Sequence, residues 1–340
     1  MIKTSSRPIT YWLFTCCGMV FVMAVIGAIT RLTQSGLSIT DWNPIMGAIP
    51  PLNDADWDKA FSAYQQIPQY KILNSGMSLE EFKGIFFWEW FHRLWGRMIG
   101  LVFLLPLIVF GVRKKIDRAL TWRLCGIFAL IGLQGFVGWF MVQSGLEVRT
   151  SVSPYRLAMH LGFALTIYSL MLWTGLGPVS ESLGQQTSTS GKTLARTGWW
   201  VLGLLAVTMI WGALVAGLHA GQAYNTWPLM DGVILPSAAF TILPHWLNVF
   251  ENLALVQFIH RWLAPTTMIV ILAWVWLGLT TARHKKWFIA LGAMSVFQVI
   301  LGLATLISHA NVILATMHQA GAIALLSLML INLHKIKRLA

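Results

Sequence analysis

Apolar residues fall into eight unbroken runs, roughly 11–30, 85–111, 120–143, 155–176, 198–218, 252–280, 286–308 and 312–333. Each reaches about 20 residues, enough to cross roughly 30 Å of hydrocarbon at 1.5 Å per residue. The apolar positions are continuous, whereas a membrane β-barrel would show short stretches of alternating apolar and polar residues. The pattern predicts an all-α integral membrane protein with eight transmembrane helices and little chain left for a separate soluble domain. Composition changes nothing in that picture: the 340 residues are 56% hydrophobic and 11% charged, with a mean hydropathy of +0.67, while soluble domains carry about a quarter charged residues.

A net charge of +12 raises nucleic acid as a partner until the basic residues are placed. Lys3 and Arg7 precede the first run, Arg113, Lys114, Lys115, Arg118 and Arg123 separate the second and third, and further clusters follow the fourth, sixth and eighth. All of these fall on one face. The opposite loops hold only Arg31, Lys59, Lys71, Lys83, Arg149 and Arg156, against nine acids. This is the positive-inside asymmetry, so the charge sets topology: both termini are expected in the cytoplasm, and nucleic-acid binding is set aside. Cys16, Cys17 and Cys125 lie in or beside apolar helices and imply neither a disulfide framework nor a thiolate metal site.

The chain also repeats itself weakly. Gly27-Ala28 matches Gly212-Ala213 at an offset of 185, which also aligns Gly36 with Gly221, Trp42 with Trp227 and Gly47 with Gly232. His92-Arg93 matches His260-Arg261 at 168, Gln134 and Gly138 match Gln298 and Gly302 at 164, and Met159-His160 matches Met317-His318 at 158. Four helices return the chain to its starting side. The expected architecture is therefore two parallel-repeat four-helix bundles related by a pseudo-two-fold along the membrane normal. They comprise residues 1–177 and 198–340, with 178–197, rich in Gly, Ser, Thr and Gln, as a cytoplasmic linker. Because the first run has a counterpart in the fifth, it is expected to belong to the fold and not to be a cleaved signal peptide.

Of nine histidines, His92, His160, His260 and His318 lie inside predicted helices, each two turns or less from the outer end of its run. Ionisable residues at that depth are costly, which makes them functional candidates. Two antiparallel helices, each offering one imidazole at the same level, can clamp a planar macrocycle through its iron. Zinc would require further ligands, and no cysteine or second histidine lies within one turn of any of the four. Arg93, Arg97 and Arg261 could pair with haem propionates; alternatively they snorkel to the outer interface. Glu89 is the only acid deep in an apolar run, three residues before His92, and Gln257 takes the matching place in the second half. It could accept or relay protons, or orient His92 by a hydrogen bond. That asymmetry suggests one pocket for a permanent cofactor and one equipped for chemistry.

Many of the 18 tryptophans sit at helix ends as an aromatic belt, with Trp95 and Trp262 near the candidate ligands. The outer loop 31–84 predicts a short helix capped by Asp54 and carrying Trp57, Phe61 and Tyr64, and a capping box from Ser78 to Glu81 leading into the second membrane helix. This loop could lid the outer pocket.

The segment Gly27-Ala-Ile-Thr-Arg-Leu-Thr-Gln-Ser-Gly-Leu-Ser, Asp41-Trp-Asn-Pro, the block Glu89-Trp-Phe-His-Arg, His260-Arg and Met317-His closely resemble the haem A synthase family over essentially the whole chain. The resemblance implies an inner-membrane oxidoreductase that converts a methyl group of haem O to the formyl group of haem A, by way of an alcohol and dehydration of a geminal diol, for terminal oxidases. It implies that His260 and His318 hold a haem b cofactor, that His92 and His160 serve the substrate haem, and that Glu89 takes part in activity. Haem O synthase as supplier and an unidentified electron acceptor are the further partners implied, beside the lipid bilayer; a homo-oligomer stays open. Some bacterial members carry a cysteine pair in the first outer loop, and no cysteine lies between 31 and 84 here, as in the proteobacterial and mitochondrial branch. Two rival classes fit part of the pattern: a dihaem cytochrome that passes electrons without altering haem, and a haem or small-molecule transporter.

Overall fold

The computed structural model describes residues 7–42, 46–147, 149–177, 189–282 and 285–337. Its long helices are α1 (Arg7–Leu32), α4 (Leu79–Val112), α5 (Arg118–Leu146), α6 (Pro154–Leu176), α7 (Thr189–Gly217), α9 (Leu253–Thr281), α10 (Lys285–Ile307) and α11 (Val312–Lys337). The short helices α2 (Asp54–Tyr64), α3 (Pro68–Ile72) and α8 (Asn248–Glu251) lie between them. Each of the eight expected runs matches one long helix, overshooting it by at most one residue, and all eight helices are long and apolar enough to span a membrane. The chain is thus a multi-pass, all-helical membrane protein. The described chain divides into two compact units, residues 15–167 and residues 7–14 with 168–337, so the division falls inside α1 and α6. Of the expected linker, 178–188 lie outside the described residues, and 189–197 already form the first turns of α7.

In the first unit, α4 extends beyond the start of its apolar run, and its N-terminus is closed by the Ser78 side chain, which accepts from the Glu81 amide, while the Glu81 carboxylate accepts from the Ser78 amide. This reciprocal cap satisfies two donors that the helix end would otherwise strand. His92 is consequently about 20 Å below the start of its helix, at 1.5 Å per residue from Leu79, and not within two turns of it as its apolar run suggested. His160, His260 and His318 do lie within about two turns of their helix starts.

This N-terminal extension of α4 supports α2 and α3. Tyr64, Phe82, Phe86, Leu37 and Ile67 are buried together, with Trp57 and Phe61 packed on them. The Tyr64 hydroxyl donates to Gln69 Oε1 at 3.1 Å and accepts from Asn74 Nδ2 at 2.7 Å. Burial pushes this phenol above its usual range, against the pull of Asn74, so it stays a neutral donor. The cap of α2 is Asn53 and not Asp54: Asn53 Oδ1 accepts from the Asp56 amide at 2.9 Å. Asp54 is instead the first helical residue, where its charge complements the exposed amides of the first turn.

The second unit contains a closed ring of four helices, in which α7 packs on α9, α9 on α10, α10 on α11 and α11 on α7. Small residues set these approaches, as expected where lipid supplies no hydrophobic drive between helices. A Cβ on Gly278 would overlap the Phe288 ring, and one on Gly198 would meet Trp274 and Leu333 at 2.6 Å. Trp274 also donates to the Leu194 carbonyl at 3.1 Å, and Thr208 shares a 2.7 Å hydrogen bond with Thr267. Such hydrogen bonds average only about 0.6 kcal/mol in a membrane bundle, so close fit contributes more to this ring than polar contacts do.

Candidate functional site

Each of the four intramembrane imidazoles is set against a glycine of a neighbouring helix. A Cβ on Gly27 (α1) would come 3.3 Å from His92 Nε2 (α4), and one on Gly138 (α5) would come 3.0 Å from His160 Cε1 (α6). In the second unit the corresponding distances are 3.1 Å from Gly212 (α7) to His260 Cε1 (α9) and 3.0 Å from Gly302 (α10) to His318 Cε1 (α11). Even an alanine at these positions would require the ring to give by a few tenths of an ångström. His92 and His160 lie within electrostatic reach of each other, as do His260 and His318.

One imidazole in each unit meets a glutamine. Gln134 Nε2 lies 3.0 Å from His160 Nδ1 and 3.0 Å from the His160 carbonyl oxygen. Gln298 Nε2 lies 3.1 Å from His318 Nδ1 and 2.8 Å from the His318 carbonyl oxygen. Both glutamines and all four glycines mark the internal repeat, yet in sequence they read as markers of the fold and not of the site. What makes them functional candidates is visible only as contact.

The residues flanking the first histidine of each unit strap down the loop that follows the preceding helix. Glu89 is buried, and its carboxylate accepts from Ser38 Oγ at 2.8 Å, from the Ile39 amide at 2.8 Å and from Arg93 at 2.6 Å. None of these hydrogen bonds goes to His92. Arg93 also donates to the carbonyls of Ile39 and Asp41 and stands 5.6 Å from the Trp42 ring centroid. In the second unit Arg261 donates to the carbonyls of Tyr224 and Leu229 and stands 5.6 Å from the Trp227 ring. Gln257 donates to the carbonyls of Ala220 and Ala223. The carboxylate thus receives donors from its loop, where the amide at the matching position gives them.

Of the remaining expected residues, Arg97 is half-buried on α4. Trp95 donates to the Met19 carbonyl at 2.9 Å. Trp262 is exposed and tilted against Trp227 at 5.6 Å. Cys16 and Cys17 are buried and Cys125 is exposed. A cleft of about 650 Å³ opens between Thr33, Ser35, Asn74, Met77, Ile85 and Trp88, and none of the four imidazoles lines it.

The donor set fits haem. Each unit offers two half-buried imidazoles, while among the described residues no cluster of three or more His, Cys, Asp or Glu side chains is arranged to hold a bare ion. A porphyrin brings its own equatorial nitrogens and needs only the axial pair. Buried polar atoms lacking a partner among the described residues crowd the same turns: Trp211 Nε1 beside Gly212, Gln257 Oε1, Arg261 Nε and Thr316 Oγ1. Buried polar groups are nearly always satisfied, so such a cluster points to a bound polar group.

Filling one of these notches tests whether the imidazole it seats holds haem. In Gly212→Val the added methyl groups meet His260, and haem retention is expected to weaken roughly 10–100-fold, as for other losses of a ligand's support. Gly203→Val on the same helix faces open space and should leave the haem absorption spectrum intact. Equal retention of haem by the two purified variants would show that the notch does not matter.

Residues 10–330 match the family model described as COX15-CtaA, cytochrome oxidase assembly protein. The chain is 53% identical over 334 residues to a heme A synthase of Rhodospirillum centenum, covering 97% of this chain and 89% of that protein. It is 47% identical over 326 residues to a heme A synthase of Nitrosomonas eutropha, covering 94% and 90%. It is 44% identical over 337 residues to one of Nitrosospira multiformis, covering 98% and 94%.

Proposed function

Because the chain belongs to the haem A synthase family, COX15-CtaA, and is therefore an enzyme of haem A biosynthesis, we propose that it oxidises the methyl group of haem O to a formyl group through a hydroxymethyl intermediate. The observation that carries this reading is the pair of half-buried imidazoles in each unit, each ring seated against a glycine, together with a buried acid, Glu89, one turn from His92 where Gln257 takes the matching place before His260. His92 and His160 hold the substrate haem, and His260 and His318 hold a resident haem b. When bound, that haem b supplies one-electron redox chemistry. Residues 1–177 form the substrate half and 198–340 the cofactor half, joined through 178–197. The protein lies in the inner membrane with both termini cytoplasmic, as the basic loops require. It receives haem O from haem O synthase and passes electrons to an acceptor.

The chain's own contribution in the substrate half centres on Glu89. Conversion of methyl to alcohol and then aldehyde releases protons, and the Glu89 carboxylate is the buried acid one turn from His92 that can take them. The Ser38 hydroxyl gives this step room. Its oxygen lies 2.8 Å from Glu89 Oε2 and 3.4 Å from the Ile85 carbonyl, so when Oε2 takes a proton the hydroxyl can turn to Ile85. Arg93 and Arg261 hold the outer loops over their units, and Arg97, half-buried one turn beyond Arg93 on α4, is a candidate cation for a propionate.

The test is to extract pigments from protein purified after co-production with haem O synthase. Hydroxylated and formylated haem are expected. Haem b alone, with haem O untouched, would identify a dihaem cytochrome instead.

A further inference from the structure

We propose that Gln134 and Gln298 are positioning residues that clasp the axial imidazoles of His160 and His318 and fix the ring plane, and that the clasp on His318 leaves its Nε2 as the nitrogen available to iron. This rests on the assignment of those histidines as haem ligands. Gln298 Nε2 reaches two atoms of His318, its Nδ1 and its carbonyl oxygen; Gln134 Nε2 reaches the same two atoms of His160 and also stands 3.3 Å from its Nε2. Contact at both atoms restrains rotation of the ring as well as its position.

The second half of the argument concerns the amide oxygen. Gln134 Oε1 and Gln298 Oε1 are both buried without a hydrogen-bond partner among the described residues. An imidazole that gives Nε2 to iron carries its proton on Nδ1 and needs an acceptor there. A small turn of the carboxamide brings Oε1 to Nδ1–H while Nε2 still serves the carbonyl, and this satisfies the oxygen and the ligand tautomer together. An amide offers both a donor and an acceptor, so the clasp suits the ring with and without iron. Gly321, one turn beyond His318, makes room for it: a Cβ there would overlap Gln298 Oε1.

An acceptor on Nδ1–H makes the imidazole a stronger donor to iron and so favours the ferric state. The full-length protein carrying haem b should therefore respond with opposite signs to two substitutions. Gln298→Leu removes the acceptor and should raise the haem midpoint potential. Gln298→Glu supplies a stronger acceptor and should lower it. A tenfold change in the ferric-over-ferrous preference corresponds to about 59 mV for one electron. Gly321→Ala, which displaces the amide without altering it, should shift the potential in the same direction as leucine and broaden the low-spin ferric EPR signal. Should the leucine variant fail to hold haem, the other two variants decide.

Potentials that stay fixed, or that move the same way in the leucine and glutamate variants, overturn the clasp. If instead the unmodified protein lacks a bis-imidazole EPR signature, or His318→Ala retains it, the ligand assignment itself fails, and the clasp with it.

Discussion

Replacing His318 or His260 with alanine is expected to abolish the low-spin haem b spectrum of the purified protein, while His92→Ala keeps that spectrum and loses conversion of haem O. Both halves present an imidazole pair, so the ligands alone do not distinguish them. The flanking residues do. His260 is preceded by Gln257, which is neutral and donates to backbone carbonyls, an environment for holding a group without reacting with it. His92 is preceded by Glu89, a buried carboxylate that accepts donors from Ser38, Ile39 and Arg93. Loss of one axial ligand removes the bis-histidine arrangement outright, so optical spectra and pigment extraction of the three variants suffice. If His92→Ala loses haem b and His318→Ala keeps it, the two halves have been exchanged in this assignment.

Glu89→Gln is expected to stop haem A formation and to leave haem b binding in the other unit unchanged. The carboxylate accepts three hydrogen bonds, from Ser38, Ile39 and Arg93, on its two oxygens. An amide has a single oxygen, and its NH₂ would face donors. The substitution also removes the partner of Arg93, whose side chain is only 13% exposed. Breaking a buried ion pair costs about 3–5 kcal/mol, here offset in part by the carbonyls that Arg93 retains. The loop 38–41 should therefore become susceptible to limited proteolysis in the variant. Glu89→Asp keeps the charge at shorter reach and should recover part of the activity. Haem A production by Glu89→Gln at the rate of the unmodified protein would reduce Glu89 to a strap for the loop.

The helices and the four candidate ligands were legible in the amino-acid order because apolar run length and an ionisable residue within such a run are both one-dimensional signals. The capping box at Ser78 was legible for the same reason, since donor and acceptor lie three residues apart. The cap of α2 was misplaced by one residue because Asn53 and Asp54 are both good caps, and only backbone conformation decides between them. The contacts of Arg93 and Arg261 were not legible, since their partners are carbonyls, which every residue carries and no sequence pattern marks. Gln134, Gln298 and the four glycines stood in the repeat without a role, because a glycine's contribution is the space it leaves to a neighbour from elsewhere in the chain.

The Glu89–Arg93 pair has a consequence for how this protein is made. Arginine at the centre of a lone apolar segment opposes insertion by roughly 2.5–3.5 kcal/mol, and aspartate does so similarly. Here the two opposite charges are one helical turn apart on α4, so they can neutralise each other as soon as that segment coils, before Ser38 and Ile39 have arrived. The helix brings its own counter-ion to the translocon. A nascent chain with either member replaced would deliver an uncompensated charge at that moment, so Glu89→Gln should lower the yield of inserted protein, while the molecules that do insert bind haem b in the other unit as before.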